Sequence, residues 1–410
     1  MAREDVAGAA GADGGAAAAG AQAAGAPASG VAAFTPAAGA GFEPYGALYL
    51  HLPFCTSRCA YCDFDTSAVS ADDARIDEYV EALSLEVRRA GRAGELGSIR
   101  TVYVGGGTPS HAGMARLSML LYTLSLSARL EADVECTMEA NPESLTERMV
   151  RDVWALGVNR LSLGVQSLDD EVLRLLGRAH DADGARRAVA AAQTRFDNVS
   201  VDLMCGIPGQ GDESFARGVR EAVALGVAHV SVYPLSLEEG TPMQRAVAAG
   251  HMPEPDEDAQ ARQMCIAAEL LEDAGFARYE VASYARPGFS CWHNIAYWTG
   301  VPYLGLGRSA VTMRQRPGVR ERLRAARVEE RLGPAEAAAE DLMLGMRMAC
   351  GVSDAQVAGA RALIARIDEV FEGLAALGLA EHAEGRWRPT DAGWLCGNEL
   401  YGRLLFAAED

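Results

Sequence analysis

The sequence predicts an α/β fold: an incomplete (βα)6, TIM-like barrel followed by a smaller, mostly helical, winged-helix-like domain. Three observations predict it. Six short β-like runs alternate with amphipathic helical stretches between Tyr45 and about Glu280, polar motifs recur where those runs end, and beyond Glu280 the alternation stops.

Taken in order, residues 1–43 are nearly all Ala, Gly, Pro and Ser. That composition cannot bury enough surface to offset the entropy of ordering, so a disordered tail is expected. The β-like runs follow as "ALYLHLP", "IRTVYVGGG", "VECTMEANP", "RLSLGVQS", "VSVDLMCGIPG" and "HVSVYPLS". Helical patterns lie between them at Arg75 to Ala90, Arg148 to Leu156, Asp169 to Leu176, Ala182 to Thr194 and Asp212 to Ala224. This spacing implies βα units on a parallel sheet, and six units fall short of eight-fold closure. The barrel is placed at residues 44–280 and the C-terminal domain at 281–410. The second begins with the aromatic loop "SCWHNIAYW" and continues through an Arg-rich stretch, Arg314 to Arg331, expected on the solvated face of a helix. Helices at Ala335 to Met348 and Asp354 to Leu377, then a small hairpin and a last helix, complete it.

Composition excludes several roles. The chain has 410 residues, 49% hydrophobic, and a net charge of -19. An acidic chain without a basic recognition helix is a poor partner for nucleic acid, whose affinity comes mostly from phosphate neutralisation. No charge-free run of eighteen apolar residues and no secretion signal are present, so a cytoplasmic protein is expected. Its nine cysteines then start out reduced, and the odd number speaks against a disulfide framework.

Three of the nine stand together in "HLPFCTSRCAYCDFD" as Cys55, Cys59 and Cys62. Structural zinc wants four closed ligands, and no second pair or finger-spaced histidine follows. A redox pair would leave Cys55 unexplained. Three thiolates at C-x3-C-x2-C instead fit a [4Fe-4S] cluster with one iron left open. In a barrel, chemistry collects on the loops after strand ends. Gly105 to Pro109, Glu139 to Pro142, Gln166, Asp202 and Gly206 to Gln210 all fall there. For Cys136, Cys205, Cys265, Cys350 and Cys396, packing is the default role.

The cysteine stretch resembles the signature of radical S-adenosylmethionine enzymes. The resemblance implies that the open iron is chelated by S-adenosylmethionine, whose sulfonium is cleaved by one electron to a 5'-deoxyadenosyl radical. It also implies roles for further residues. Gly106, Gly107 and Thr108 would hold the methionyl amino group. Glu139, Gln166, Arg178 and Asp202 would contact ribose and the methionyl carboxylate, and Tyr49 and Tyr61 would line the nucleoside. Within the superfamily, "YLHLPFC", "GGGTPS", "EANPES", "LSLGVQS" and "DLMCGIPGQ" look like the oxygen-independent coproporphyrinogen III oxidase group, from about Tyr45 to the C-terminus.

That group holds a decarboxylating dehydrogenase of haem biosynthesis and a haem chaperone. The dehydrogenase carries C-x3-C-x2-C-x-C, whereas here Phe64 follows Cys62 by two, as in the chaperone. The chaperone also carries H-N-x-x-Y-W, matched by His293, Asn294, Tyr297 and Trp298. The resemblance therefore implies haem binding with His293 as ligand, and no catalytic residue is assigned. Expected partners are haem, haem-acceptor proteins of respiration met at the membrane surface and a one-electron donor protein, with a second copy of the chain as a further candidate. One segment departs: "YLGLGRSAVTM" looks like the dehydrogenase's GLGxSA pattern, which keeps oxidative decarboxylation of coproporphyrinogen III as the alternative. A structural zinc protein on a degenerate barrel is the non-catalytic alternative.

Overall fold

The computed structural model describes residues 41–409, so residues 1–40 of the expected tail lie outside the described residues. Six parallel strands follow one another in chain order: β1 (Ala47–Leu52), β2 (Ile99–Gly106), β3 (Leu130–Ala140), β4 (Arg160–Gln166), β5 (Val199–Cys205) and β6 (His229–Pro234). The crossovers carry α1 (Ala74–Arg92), α2 (Met114–Ser127), α3 (Glu147–Ala155), α4 (Asp170–Leu175), α5 (Ala182–Gln193) and α6 (Asp212–Ala224). All six expected strands and all five helices expected between them are present, whereas the single helix expected at Asp354 to Leu377 is two, Asp354–Arg361 and Ile367–Ala376. The helix α2, "MARLSMLLYTLSLS", was not anticipated, because apolar residues surround it rather than marking one face.

Helix starts follow from local chemistry. Asp73, Thr146, Asp169 and Asp181 each accept a backbone N–H from the first turn of α1, α3, α4 and α5. Gly157 and Gly226 take positive φ just past α3 and α6, closing those helices.

After β6 come α7 (Pro242–Ala248) and α8 (Glu257–Asp273), then β7 (Ser283–Ala285), antiparallel to β6, and α9 (Trp292–Trp298). The strand β8 (Tyr303–Leu306) lies parallel to β1 on its other side. Next come β9 (Val311–Arg316), β10 (Val319–Arg324) and β11 (Arg327–Leu332), an antiparallel meander. The twelve-stranded sheet thus runs β11-β10-β9-β8-β1-β2-β3-β4-β5-β6-β7 and ends on Ala277–Arg278. The barrel does not close on itself.

The Arg-rich stretch is therefore sheet, not a helix face. Turns at Gly318 and at Ala325 and Ala326, all at positive φ, reverse the chain twice. Carboxylates on the neighbouring strand or helix then meet the arginines. Glu321 takes Arg314 at 2.7 Å and Arg331 at 2.6 Å, and Arg320 reaches Glu340 and Asp341, each at 2.7 Å. Period-two charge with opposite-sign partners across strands suits a ladder better than a helix.

The strands alternate in side-chain direction, with register shifts between Ile99 and Thr101 and between Leu163 and Gln166. Leu48, Leu50, Val102, Val104, Met138, Leu161, Leu163, Val201, Val230 and Val232 belong to the main apolar core shared with the helices. The opposite face carries Tyr49, Thr101, Tyr103, Glu135, Glu139, Arg160, Ser162, Asp202 and His229, so the barrel interior is polar. A second core, built from Leu342, Met346, Ile367, Phe371, Leu374, Leu400 and Leu404, lies under α10 (Pro334–Gly345), α11 (Asp354–Arg361), α12 (Ile367–Ala376) and α14 (Gly397–Leu405). A small sheet of Val352–Ser353, β13 (Arg386–Pro389) and β12 (Ala380–Ala383) flanks these helices, with α13 (Asp391–Leu395) after it. Among the described residues no helix is long and apolar enough to cross a membrane.

Candidate functional site

The loop after β1 brings Cys55, Cys59 and Cys62 to the mouth of the barrel. They line one cavity with Tyr61, Phe64, Gly106, Gly107, Thr108, Glu139, Asn141, Gly164, Gln166, Arg178 and Asp202. Every residue expected around the cluster and S-adenosylmethionine lies here except Tyr49. That residue lines a neighbouring cavity of about 500 Å³ with His51, Phe64, Tyr297, Tyr303, Ser309 and Arg324. Phe64, Gly106 and Glu139 border both cavities. Phe64 is 63% exposed, so its ring stands at their shared rim rather than in a core.

Backbone shape leaves the room. Gly106 has φ of +115, and a Cβ there would lie 2.6 Å from the His51 ring. A Cβ on Gly107 would stand 3.0 Å from Cys55 Sγ. Gln166 adopts φ of +64, a conformation disfavoured for a side chain with Cβ, directly at the end of β4.

Polar contacts converge on the sulfurs. Thr108 Oγ1 donates to Cys55 Sγ at 3.4 Å, and Arg178 Nη1 donates to Cys59 Sγ at 3.3 Å. The Arg178 Nη2 also donates to Asn141 Oδ1 at 2.8 Å and to the Gly164 carbonyl at 2.6 Å. Its Nε is buried without a partner. All three cysteines are free thiols, and burial pushes Cys55 up to about 11. A thiolate here needs a positively charged group to offset desolvation. Among the described residues no three such side chains close on a single point that could hold one metal ion. Three thiols lining one cavity with Gly106, Thr108 and Glu139 are a donor set that fits a group taking three thiolate ligands.

Glu139 accepts from Tyr103 Oη at 2.8 Å and from the Gly106 N–H at 3.0 Å. Burial, reinforced by Asp202, pushes Glu139 up to about 7, and burial lifts Asp202 to about 6. A carboxyl raised from 4.5 holds in the folded state a proton that the unfolded chain releases. Its contribution to stability is complete below pH 4.5 and is lost as pH rises through about 7. His293 and His229, kept neutral by burial, slope the other way below pH 6.5, so Glu139→Gln is the reference. The stability of the apoprotein minus that of Glu139→Gln falls on the order of 2–3 kcal/mol between pH 4.5 and 8. Urea midpoints at several pH values measure it, and a pH-independent difference contradicts it.

His293 does not line either cavity. It sits on α9 inside the barrel, 2% exposed, with Nδ1 2.9 Å from Thr101 Oγ1 and Nε2 buried without a partner. Its ring stacks on Tyr103 and meets Tyr297 edge-on at 4.9 Å. The stretch read as an aromatic loop is this helix. Its first N–H groups, those of Trp292 and His293, donate to the buried Glu135 at 2.9 and 3.1 Å. Glu135 and Asn141 were not singled out in the sequence. The "EANP" motif carried Asn141 in plain view, whereas nothing local marks Glu135.

Two family models match the chain: the radical SAM superfamily over residues 49–222 and the HemN C-terminal domain over residues 332–396. Heme chaperone HemW of Mycobacterium tuberculosis is 40% identical over 270 residues, covering 65% of this chain and 69% of its own. Heme chaperone HemW of Bacillus subtilis is 30% identical over 375 residues, 87% of this chain and 98% of its own. Among solved structures, coproporphyrinogen III oxidase (HemN) from Escherichia coli superposes with a TM-score of 0.75 at 21% identity, over 88% of this chain and 90% of its own, a likeness of fold. A C-x3-C-x2-C loop at the mouth of an incomplete barrel, with relatives matched over most of their length, places the chain in the radical SAM superfamily, as a member of the HemW family within its oxygen-independent coproporphyrinogen III oxidase-like group.

Proposed function

We propose that the chain is a haem chaperone that holds a [4Fe-4S] cluster on Cys55, Cys59 and Cys62, binds S-adenosylmethionine beside it, and passes haem to acceptor proteins of respiration. The observation that carries the reading is the likeness to curated haem chaperones, which reaches 98% of the length of one of them. Phe64, where the dehydrogenase has a fourth cysteine, supports it. In this reading residues 44–280 form the cofactor-binding barrel and residues 281–410 the domain that brings haem and its acceptors. Contact with acceptors takes place in the cytoplasm at the membrane surface, and electrons come from a one-electron donor protein.

The chain's residues divide the work. Gly106, Gly107 and Thr108 receive the methionyl amino group, Glu139 and Asp202 accept from ribose hydroxyls, and Gln166 and Arg178 meet the carboxylate. Tyr61 walls the nucleoside. When bound, the cluster and S-adenosylmethionine supply one-electron radical chemistry. The adjoining cavity of about 500 Å³, with Tyr49, Phe64, Tyr297 and Tyr303 as aromatic walls and Arg324 at its edge, offers flat apolar surface and a carboxylate partner to a porphyrin. Ligation of haem iron by His293 Nε2 requires α9 to leave the barrel interior.

Haem titration of anaerobically reconstituted protein tests the proposal. The wild type is expected to bind haem, and His293→Ala to weaken binding or shift the Soret band. Absence of haem binding in the wild type overturns the proposal. One observation favours the dehydrogenase reading: Ser309, Ala310 and Val311 of the GLGxSA-like segment line that same cavity. Consumption of coproporphyrinogen III under reducing anaerobic conditions, without haem binding, would establish it.

A further inference from the structure

The site contains a run of hydrogen bonds whose direction is set at one end. An arginine can only donate. The Asn141 amide atom 2.8 Å from Arg178 Nη2 is therefore the carbonyl oxygen. Asn141 Nδ2 then faces Thr108 Oγ1 at 3.0 Å and donates to it. A hydroxyl that accepts there keeps its own proton for another acceptor, and that acceptor is Cys55 Sγ, 3.4 Å away. At the other end Arg178 Nη1 points at Cys59 Sγ, 3.3 Å away. Asn141 thus stands in the middle of a chain from Cys55 through Thr108 and Arg178 to Cys59.

Packing holds it there. The Asn141 N–H donates to Ser110 Oγ at 3.3 Å, and Pro142 restricts its backbone from the other side. A Cβ on Gly164 would lie 2.7 Å from Asn141 Oδ1 and 3.3 Å from Arg178 Nη2, so only glycine leaves space for the arrangement.

We propose that Asn141 is a positioning residue that sets the reduction potential of the [4Fe-4S] cluster by aiming two donors, the Thr108 hydroxyl and the Arg178 Nη1–H, at the sulfurs of Cys55 and Cys59. It rests on the cluster reading given under Proposed function. An electron added to an iron–sulfur cluster is partly carried by its thiolate sulfurs, so donors to those sulfurs stabilise the reduced form and raise the potential. Aspartate has the shape of asparagine but no N–H. At position 141 it keeps Arg178 and draws the Thr108 proton toward itself, away from Cys55.

The experiment is anaerobic reconstitution with iron and sulfide, without S-adenosylmethionine, followed by redox titration with dithionite read by electron paramagnetic resonance. Asn141→Asp is expected to make reduction less favourable on the order of tenfold, about 59 mV more negative for one electron. Asn141→Ala, which adds no charge, shifts it the same way by less. In a Thr108→Val background the shift from Asn141→Asp shrinks, because the proton it redirects is gone. Equal potentials in cluster-loaded wild type and Asn141 variants, or strictly additive shifts with Thr108→Val, overturn the proposal. Should the Asn141 variants lose the cluster, Thr108→Ser against Thr108→Val decides: serine keeps the wild-type potential, valine lowers it, and no difference overturns the proposal. A wild type that takes up no iron and sulfide overturns the cluster reading itself, a separate result.

Discussion

On the proposed function, Cys59→Ala is expected to abolish cluster uptake, leaving no iron–sulfur absorption and only background iron and sulfide after anaerobic reconstitution. Three thiols are all that the loop after β1 offers, and a cluster held by three ligands tolerates the loss of none of them. The substitution also removes the partner of Arg178 Nη1, whose Nε is already buried unpaired. An added unsatisfied donor costs on the order of 1–3 kcal/mol. The folded barrel survives this, because the strand cores are remote from the loop, so loss of iron with an intact unfolding transition is the expected signature. Iron and sulfide content equal to that of the wild type would mean that Cys59 is not a ligand.

Glu135→Ala is expected to destabilise the chain by about 2–4 kcal/mol, since it leaves two N–H groups at the start of α9 without their buried acceptor. Glu135 lies inside the barrel, where it accepts from the N–H groups of Trp292 and His293 and from Cys291 Sγ at 3.4 Å. It is also among the charges that stabilise the wholly buried Arg160. Its removal orphans two N–H groups at the start of α9 and leaves Arg160 underbalanced. Glu135→Gln, which keeps an acceptor, loses less. The denaturant midpoint reads both, and a change under about 1 kcal/mol for the alanine variant would show that α9 is held by packing alone. On the proposed function, the same variant loosens the helix that carries His293 and so alters haem binding.

How far such residues can be read from sequence depends on the range of the interactions that place them. The six barrel strands were legible, since each is an alternating run bounded by turn residues, and their ends carry the cysteines, Gly106, Glu139 and Gln166, whereas Asp202, expected with them, lies mid-strand in β5 and points into the same interior. Those ends had to meet, because parallel strands joined by helices put every C-terminal end on one face. The Arg314 to Arg331 stretch was misread. Its arginines look like a helix face until the chain reverses to bring Glu321, from the same stretch, across to Arg314 and Arg331, and Glu340 of α10 meets Arg320. His293 shows the same limit: its motif was visible, yet its place inside the barrel depends on Thr101, Tyr103 and Glu135, more than 150 residues away.

By itself, then, the sequence determined what local pattern and spacing control: the βα repeat, the three-thiol loop and the family to which they point. Only the tertiary structure decided which polar side chains share the interior, that Tyr49 lines the second cavity, that α9 is packed within the barrel, and that Asn141 joins two donors to two sulfurs. Strands are set by neighbours along the chain. Contacts in a barrel core are set by strand register and closure, which bring together residues that no local signal relates.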